Sequence, residues 1–356
     1  MRKLATIRTI AEIQPIPNAD AIEAVRVDGW WVVAKKGEFL VGDLAVYFEI
    51  DSWIPETIAP FLSKGRELNG VKGERLRTVR LRGQISQGLL MPLYNCDETR
   101  PAMSAFHQTR PYDPDEGHFD VTEILGIQKY EPNLPAALQG LVRSTFPAWL
   151  RKTDQERIQN CFRSIEKHLG EMWAGEEKLD GSSMTVGVQF TPEGPDLHVC
   201  SRNLSLKLED ENNSFVKKAR QSGVIDALTN YGHNIALSGE LIGEGIQGNR
   251  YKISGQEWYI FDVFLVDEQR YCDVFEREGI LVDLQQLGFK VKKVPALYSA
   301  KLDGATVKSL LEHAEAKTVL GSGAEREGIV WKLMSNGEIS FKAISNKFLL
   351  KGGEEL

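Results

Sequence analysis

The residues with the clearest chemical potential form the run Glu176-Glu177-Lys178-Leu179-Asp180-Gly181-Ser182-Ser183-Met184-Thr185-Val186-Gly187-Val188. A lysine stands in front of an Asp-Gly turn. Beyond the turn, Met184, Val186 and Val188 alternate on one face of a strand. A lysine between two β-segments can project from a sheet edge into a cleft. There, shielded from water and flanked by cations, its amine would shed a proton and act as a nucleophile. Moving a lysine from about 10.4 to near 7 demands roughly 4 to 5 kcal/mol of differential interaction, which only a purpose-built site supplies.

The chain carries its own control. Lys301-Leu302-Asp303-Gly304 repeats the tetrapeptide and continues into Ala305-Thr306-Val307-Lys308-Ser309-Leu310-Leu311-Glu312-His313-Ala314. Val307, Leu310, Leu311 and Ala314 fall at helical spacing, with Asp303 or Thr306 available as N-cap, so this copy reads as a loop entering a surface helix. The tetrapeptide alone therefore decides nothing, and its downstream company must.

The elements that position these residues follow from the rest of the chain. Its 356 residues, 42% of them hydrophobic, predict two domains with packed cores. No segment is an uninterrupted apolar membrane span, and the N-terminus lacks the apolar run of a signal peptide. Cys96, Cys161, Cys200 and Cys272 are widely spaced with no CxxC pair, which argues against a disulfide scaffold or zinc ribbon and for a reduced, cytoplasmic setting. A net charge of −7 argues against coating nucleic acid through overall charge, so any nucleic-acid contact requires clustered cations.

Such a cluster lies in the first 100 residues. Val25-Val27, Trp30-Ala34, Leu44-Ile50 and Gly88-Met91 are short apolar runs separated by turn residues, and they predict a small barrel. Within it, Lys64, Arg66, Lys72, Arg75, Arg77, Arg80 and Arg82 are opposed only by Glu67 and Glu74. The apolar phase breaks near Thr78-Val79, predicting a bulge or bend that gathers the arginines as a phosphate track; an ordinary solvated strand pair explains them equally well. Residues 101–140, with Pro101, Pro111, Pro114, Pro132 and Pro135, read as an extended linker. A short helix over 155–162, capped by Thr153 or Asp154, then leads towards Lys178.

Downstream come Ser201-Arg202-Asn203, Gly239-Glu240-Leu241, Phe261-Asp262, Glu327-Gly328-Ile329-Val330 and Phe341-Lys342, each at a strand end or turn. Taken singly, each has an ordinary structural explanation. Taken in order with Lys178-Leu179-Asp180-Gly181-Ser182, they resemble the six collinear motifs of the covalent nucleotidyltransferases: DNA ligases, RNA ligases and mRNA-capping enzymes. The Lys301 copy lacks the following serine and the intermediate motifs. Ile16-Pro17-Asn18-Ala19-Asp20 and Leu81-Arg82-Gly83-Gln84-Ile85-Ser86-Gln87-Gly88-Leu89 resemble OB-fold modules that bind tRNA and other single strands. DNA ligases and capping enzymes carry the OB domain after the last motif, whereas here it comes first. That order resembles the ATP-dependent RNA ligases called family five.

The resemblance implies an α+β protein, with an N-terminal OB-like β-barrel (1–100), a linker (101–140) and a C-terminal nucleotidyltransferase domain of antiparallel sheets flanked by helices (141–356). It further implies three in-line displacements at phosphorus, resting on positioning and charge. Lys178 attacks the α-phosphate of ATP, the AMP moves to an RNA 5′-phosphate, and the RNA 3′-hydroxyl displaces it. Lys342 and Lys332 are expected at the α-phosphate, where their charge would depress Lys178. Asp180, Glu240 and Glu327 are expected to hold a hydrated Mg²⁺ or Mn²⁺, with Glu240 alternatively on the ribose. Phe261 is expected to stack on adenine, with Glu177 and Leu179 also against the nucleotide. Arg202 and Asn203 are expected at the ribose or RNA 5′-phosphate, and Arg157 at the β- and γ-phosphates. Related ligases show Lys-x-Lys in the last motif; here Lys342 is followed by Ala343-Ile344, so the second role passes to Lys347 or Lys332, or is absent. The expected substrate is RNA with 3′-OH and 5′-phosphate ends in a nicked duplex, bound by a monomer with no membrane partner. The rivals are a DNA ligase, a capping-type guanylyltransferase and an inactive RNA-binding OB protein.

Overall fold

The computed structural model describes residues 2–109, 118–131 and 141–354. The chain forms two units, Met1–Leu134 with Leu349–Leu356, and Pro135–Phe348.

The first unit is built on antiparallel strands. Ala5–Thr9 and Leu44–Phe48 lie at the centre of a four-stranded sheet with Leu89–Pro92 and Phe119–Asp120 at its edges. Val46 and Phe48 pack into one core with Ile7 and Met91, and Ala45 and Tyr47 into another with Trp30 and Leu90. Burial on both faces explains why this strand reads as an unbroken apolar run rather than an alternating one. Ile22–Val27 and Trp30–Lys35 pair in a three-stranded sheet with Glu12–Pro15.

Residues 101–109 and 118–131 are not the extended linker that the prolines of this region predict. Pro101 opens the helix Arg100–Gln108, whose Ala102 is buried, as suits a residue with no N–H to leave unpaired at a helix start. Phe119–Asp120 and Gln128–Lys129 pair with Ala5–Thr9 and Ser52–Pro55. Pro111, Pro114, Pro132 and Pro135 lie outside the described residues. At the other end of the chain, Leu349 packs on the first unit's core rather than extending the second.

In the basic segment, the strand Val71–Arg75 ends before the expected break at Thr78-Val79, and Thr78–Leu81 starts a separate hairpin with Gln84–Gln87. Arg82 and Gly83, at φ 50° and 85°, form the two-residue turn that such hairpins favour. Arg80 and Arg82 are exposed. Arg75 instead pairs with Asp51 at 2.7 Å and lies over the Tyr130 ring, and Arg66 reaches Glu74 at 3.4 Å. The gathered track thus shrinks, because two of its arginines are engaged within the fold.

The second unit holds two sheets. In the seven-stranded one, Ser182–Thr191 lies between Gly194–Cys200 and Ile235–Gly243, followed by Gln256–Leu265. Met184, Val186 and Val188 are fully buried beneath the helices Ser214–Ser222, Val224–Tyr231 and Val274–Gln286. In the five-stranded one, Met172–Lys178 lies between Gly328–Leu333 and Ala296–Lys301, and Ser340–Ile344 follows Gly328–Leu333. Its core meets the helices Ile158–Glu166 and Val307–Ala314. The first of these starts later than the capping pattern predicts. Glu156–Arg157 pair in parallel with Phe341 and Lys342, which makes Arg157 the N-cap, with no side-chain cap from Thr153 or Asp154. The second is capped by Thr306 in a reciprocal box with Ser309, as expected.

Candidate active site

Lys178 is the last residue of a strand in the five-stranded sheet, and Ser182 the first of a strand in the seven-stranded sheet. Leu179-Asp180-Gly181 is therefore the crossing between the sheets. Leu179 is buried with Ile242, Tyr251 and Val294, and Phe261 packs against them. A Cβ on Gly181 would meet the Leu241 carbonyl oxygen at 2.4 Å and Ile242 at 2.5 Å, so only glycine lets the crossing approach Ile235–Gly243. The same approach lets the Gly181 N–H donate to Glu240 Oε1 at 3.0 Å.

Four charged groups converge here. Lys178 Nζ lies 2.7 Å from Glu327 Oε1, and Asp180 and Glu240 add to the field on the lysine. Burial works to lower Lys178, but Glu327, Glu240 and Asp180 outweigh it and leave the lysine raised above its ordinary value. The expectation that Lys332 and Lys342 depress it does not hold in this state, because carboxylates are its immediate neighbours. Burial pushes Glu240 up to about 8, with Lys178 opposing and Glu327 and Asp180 adding. Glu327 is also raised by burial, against the pull of Lys178.

Crowded, half-neutralised oxygen donors suit a hard divalent ion in chemistry. Among the described residues, however, no group of three or more His, Cys, Asp or Glu is placed to hold a metal directly. Asp180 is bound to Arg250 at 2.7 Å and Glu327 to Lys178. The expected set thus fits an ion held through its own waters, not a direct three-carboxylate cage.

Phe261 owes its setting to a bulge. Ser238 pairs with Asp262 but Gly239 pairs with Ile260, so Phe261 is the extra residue in its strand. A bulge re-aims a side chain and takes its residue out of the ladder. The freed Phe261 carbonyl accepts from Arg277 at 2.7 Å and from Lys332 Nζ. Lys332 is buried and also reaches Asp262 at 2.6 Å and Glu176 at 3.3 Å. Its charge is engaged by these anions behind Phe261, which corrects its expected place at the α-phosphate. Burial would raise Glu176, but Lys332 and Arg277 hold it lowered.

The other expected residues fall in three places. Glu177 is buried beside the lysine. Its Oε2 accepts from the Val319 N–H at 3.0 Å, while Oε1 has no partner. Lys342 reaches Asp154 at 3.1 Å, and Arg202 stands 3.7 Å from the same carboxylate. Asn203 accepts from Lys152 at 2.8 Å in the exposed turn after Gly194–Cys200. Arg157 is buried and paired in register with Lys342, not on a helix surface. Lys347 is exposed and pairs with Glu315 at 3.2 Å, so its ion pair does not join it to the lysine group.

The sequence reading gives no role at the site to Glu176, Arg250, Tyr251 or Arg277, and to Asp154 only that of a helix cap. Of these, only Glu176 and Arg250-Tyr251 carry a signal, as neighbours of Lys178 and of the Gly243–Gly248 turn. The Tyr251 hydroxyl accepts from the Asp180 N–H at 2.7 Å.

Comparison with known proteins agrees with this geometry. Residues 171–344 match the RNA ligase family, and residues 4–93 an OB-fold domain family. A search of curated proteins finds no match. Among solved structures, Naegleria gruberi RNA ligase with PPi is 43% identical, covers 100% of both chains and superposes with a TM-score of 0.87. An alanine mutant of that ligase with ATP and Mn is 43% identical over 98% of each chain, with a TM-score of 0.85. Another with AMP and Mn is 43% identical over 98% of each chain, with a TM-score of 0.86. The order of the matched regions, the gathering of Lys178, Asp180, Glu240 and Glu327 at one sheet crossing, and 43% identity along the whole chain lead to one conclusion: this protein belongs to the RNA ligase family.

Proposed function

We propose that this RNA ligase uses ATP and a divalent ion, Mn²⁺ or Mg²⁺, to seal RNA 3′-OH and 5′-phosphate ends through an AMP carried on Lys178. The observation that carries the reading is the placement of Lys178 at the sheet crossing, with Glu327 at 2.7 Å and Asp180 and Glu240 around it. The solved relatives with ATP and Mn and with AMP and Mn support the choice of cofactors.

In the first step Lys178 Nζ bonds to the α-phosphorus as the bond to pyrophosphate breaks. Its proton must leave first, and Glu327 is the acceptor at hand. A divalent ion held through its waters by Asp180, Glu240 and Glu327 would supply positive charge to the reacting phosphate and would relieve the carboxylate field that keeps Lys178 protonated. Lys342, whose charge acts on Glu327, serves the α-phosphate in this reading, and Arg157 beside it the outer phosphates. Phe261 offers its ring to the base. The unpartnered Glu177 Oε1 favours ATP over GTP, because adenine presents an amino donor where guanine presents a carbonyl acceptor. In the second and third steps Arg202 and Asn203, on their exposed turn, meet the RNA 5′-phosphate.

The expected substrate is a nick in a duplex, worked on by a monomer. No described helix is long and apolar enough to cross a membrane. Exposed Lys64, Lys72, Arg80 and Arg82 are the cations of the basic segment proposed to touch phosphate, with the hairpin arginines chosen for the test. Sealing of a labelled RNA nick, set beside the same nick in DNA, tests the reading. RNA should be sealed and Lys178→Ala should seal nothing; preference for DNA, or dependence on GTP, would contradict it. Arg80→Ala with Arg82→Ala should weaken sealing and spare AMP transfer to the protein.

A further inference from the structure

We propose that Arg250, which lies outside every motif, is a positioning residue and an internal counter-ion for the nucleophile turn: it holds Asp180 before metal and nucleotide arrive, and competes with the divalent ion for that carboxylate. This rests on the proposed role of Asp180 in holding a hydrated ion.

Arg250 follows the Gly-rich turn between the strands Ile235–Gly243 and Gln256–Leu265. Its guanidinium joins three segments that carry site residues. Nη1 donates to Asp180 Oδ2 at 2.7 Å, two residues after Lys178. Nη2 donates to the Glu325 carbonyl at 3.0 Å, two residues before Glu327. Its carbon centre lies 4.6 Å from the Phe348 ring centroid, just past Lys347. The adjoining Tyr251 hydroxyl accepts from the Asp180 backbone N–H, so two successive residues hold one aspartate by main chain and side chain. The planar fork of arginine is suited to such a task, since it binds two groups in fixed relative directions where a lysine offers a point charge.

A carboxylate bound to a guanidinium at 2.7 Å is a poorer partner for a metal than a free one. Metal and Arg250 are therefore linked, and the linkage has a sign: removing the arginine charge should tighten metal binding while loosening the turn. A residue that merely supports the fold would instead weaken both or leave metal affinity alone.

The test is a Mn²⁺ titration of the nucleotide-free protein by electron paramagnetic resonance, alongside the rate of AMP transfer to Lys178 at saturating ATP and metal. Arg250→Ala should bind Mn²⁺ about tenfold more tightly, a coupling of ordinary size for two ligands of one group. Its saturated rate should fall at least about tenfold. Arg250→Gln, which keeps a donor for Glu325 but no charge, should tighten Mn²⁺ similarly, and it serves if the alanine variant fails to fold. Arg250→Lys should keep wild-type Mn²⁺ affinity within about twofold and lose rate. Unchanged or weaker Mn²⁺ binding in folded neutral variants overturns the proposal. A wild-type protein that forms no lysyl-AMP overturns the functional reading instead, and is recognised without any variant.

Discussion

The tetrapeptide Lys-Leu-Asp-Gly occurs twice in this protein, and the two copies end neighbouring strands of one sheet. Met172–Lys178 and Ala296–Lys301 run antiparallel, with Met172 opposite Lys301, so the lysines stand at opposite ends of the pair. Both leucines are buried, Leu179 with Ile242 and Tyr251, Leu302 with Trp173 and Leu310. The aspartates and glycines diverge. Asp180 is bound by Arg250, and Gly181 is pressed against Ile235–Gly243. Gly304 has φ +70° and nothing near its missing Cβ. Identical residues thus acquire different chemistry from what a second sheet brings to one of them. At Lys178 that sheet brings Glu240; at Lys301 the chain turns into a helix capped by Thr306.

The glycines give the sharpest way to break the comparison. Gly181→Ala must shift the crossing away from Leu241, and a displacement of that order is expected to slow AMP transfer at least about 100-fold. Gly304→Ala strains only its own backbone, costing about 1 kcal/mol of stability with transfer unchanged. Rates with labelled ATP and thermal melts check both. Equal rates in the two variants would mean the crossing tolerates a side chain.

The carboxylates sharpen it further through pH. Glu240 is held at about 8 in the folded site, above its unfolded value of about 4.3. Between those values the folded chain keeps a proton that the unfolded chain has lost, so this group's contribution makes stability fall as pH rises. Metal-free Glu240→Gln should therefore melt higher than the wild type near pH 8, with the difference vanishing below about pH 4. Added Mn²⁺ should raise the wild type and narrow the gap. A gap independent of pH would contradict the crowding of negative charge at Lys178.

The smallest effect belongs to the second copy. Thr306→Ala removes the capping box and should cost about 1 kcal/mol, seen in the melt, while AMP transfer stays at the wild-type rate.

Much of this contrast is legible in the sequence, because motif residues sit at strand ends whose periodicity and turns are local. Lys178 before an Asp-Gly turn and the buried alternation of Met184, Val186 and Val188 are read from a few neighbouring residues. What escapes depends on partners brought from afar. The bulge that sets Phe261 apart is a mismatch between two strands, visible in neither alone. Arg250 and Arg277 reach Asp180 and Glu176 across 70 and 101 residues. The role given to Lys332 fails for the same reason, since its proximity to Asp262 is a matter of register between sheets. Pro101 misleads because proline fits a helix start as well as a linker.

The central claim is that the second sheet, not the tetrapeptide, makes the nucleophile. Its most direct test is to incubate the protein with labelled ATP and Mn²⁺ and map the covalent nucleotide by peptide mass. The account predicts AMP on Lys178 alone, lost in Lys178→Ala and retained in Lys301→Ala. AMP on Lys301, or equal loss in the two variants, would contradict it.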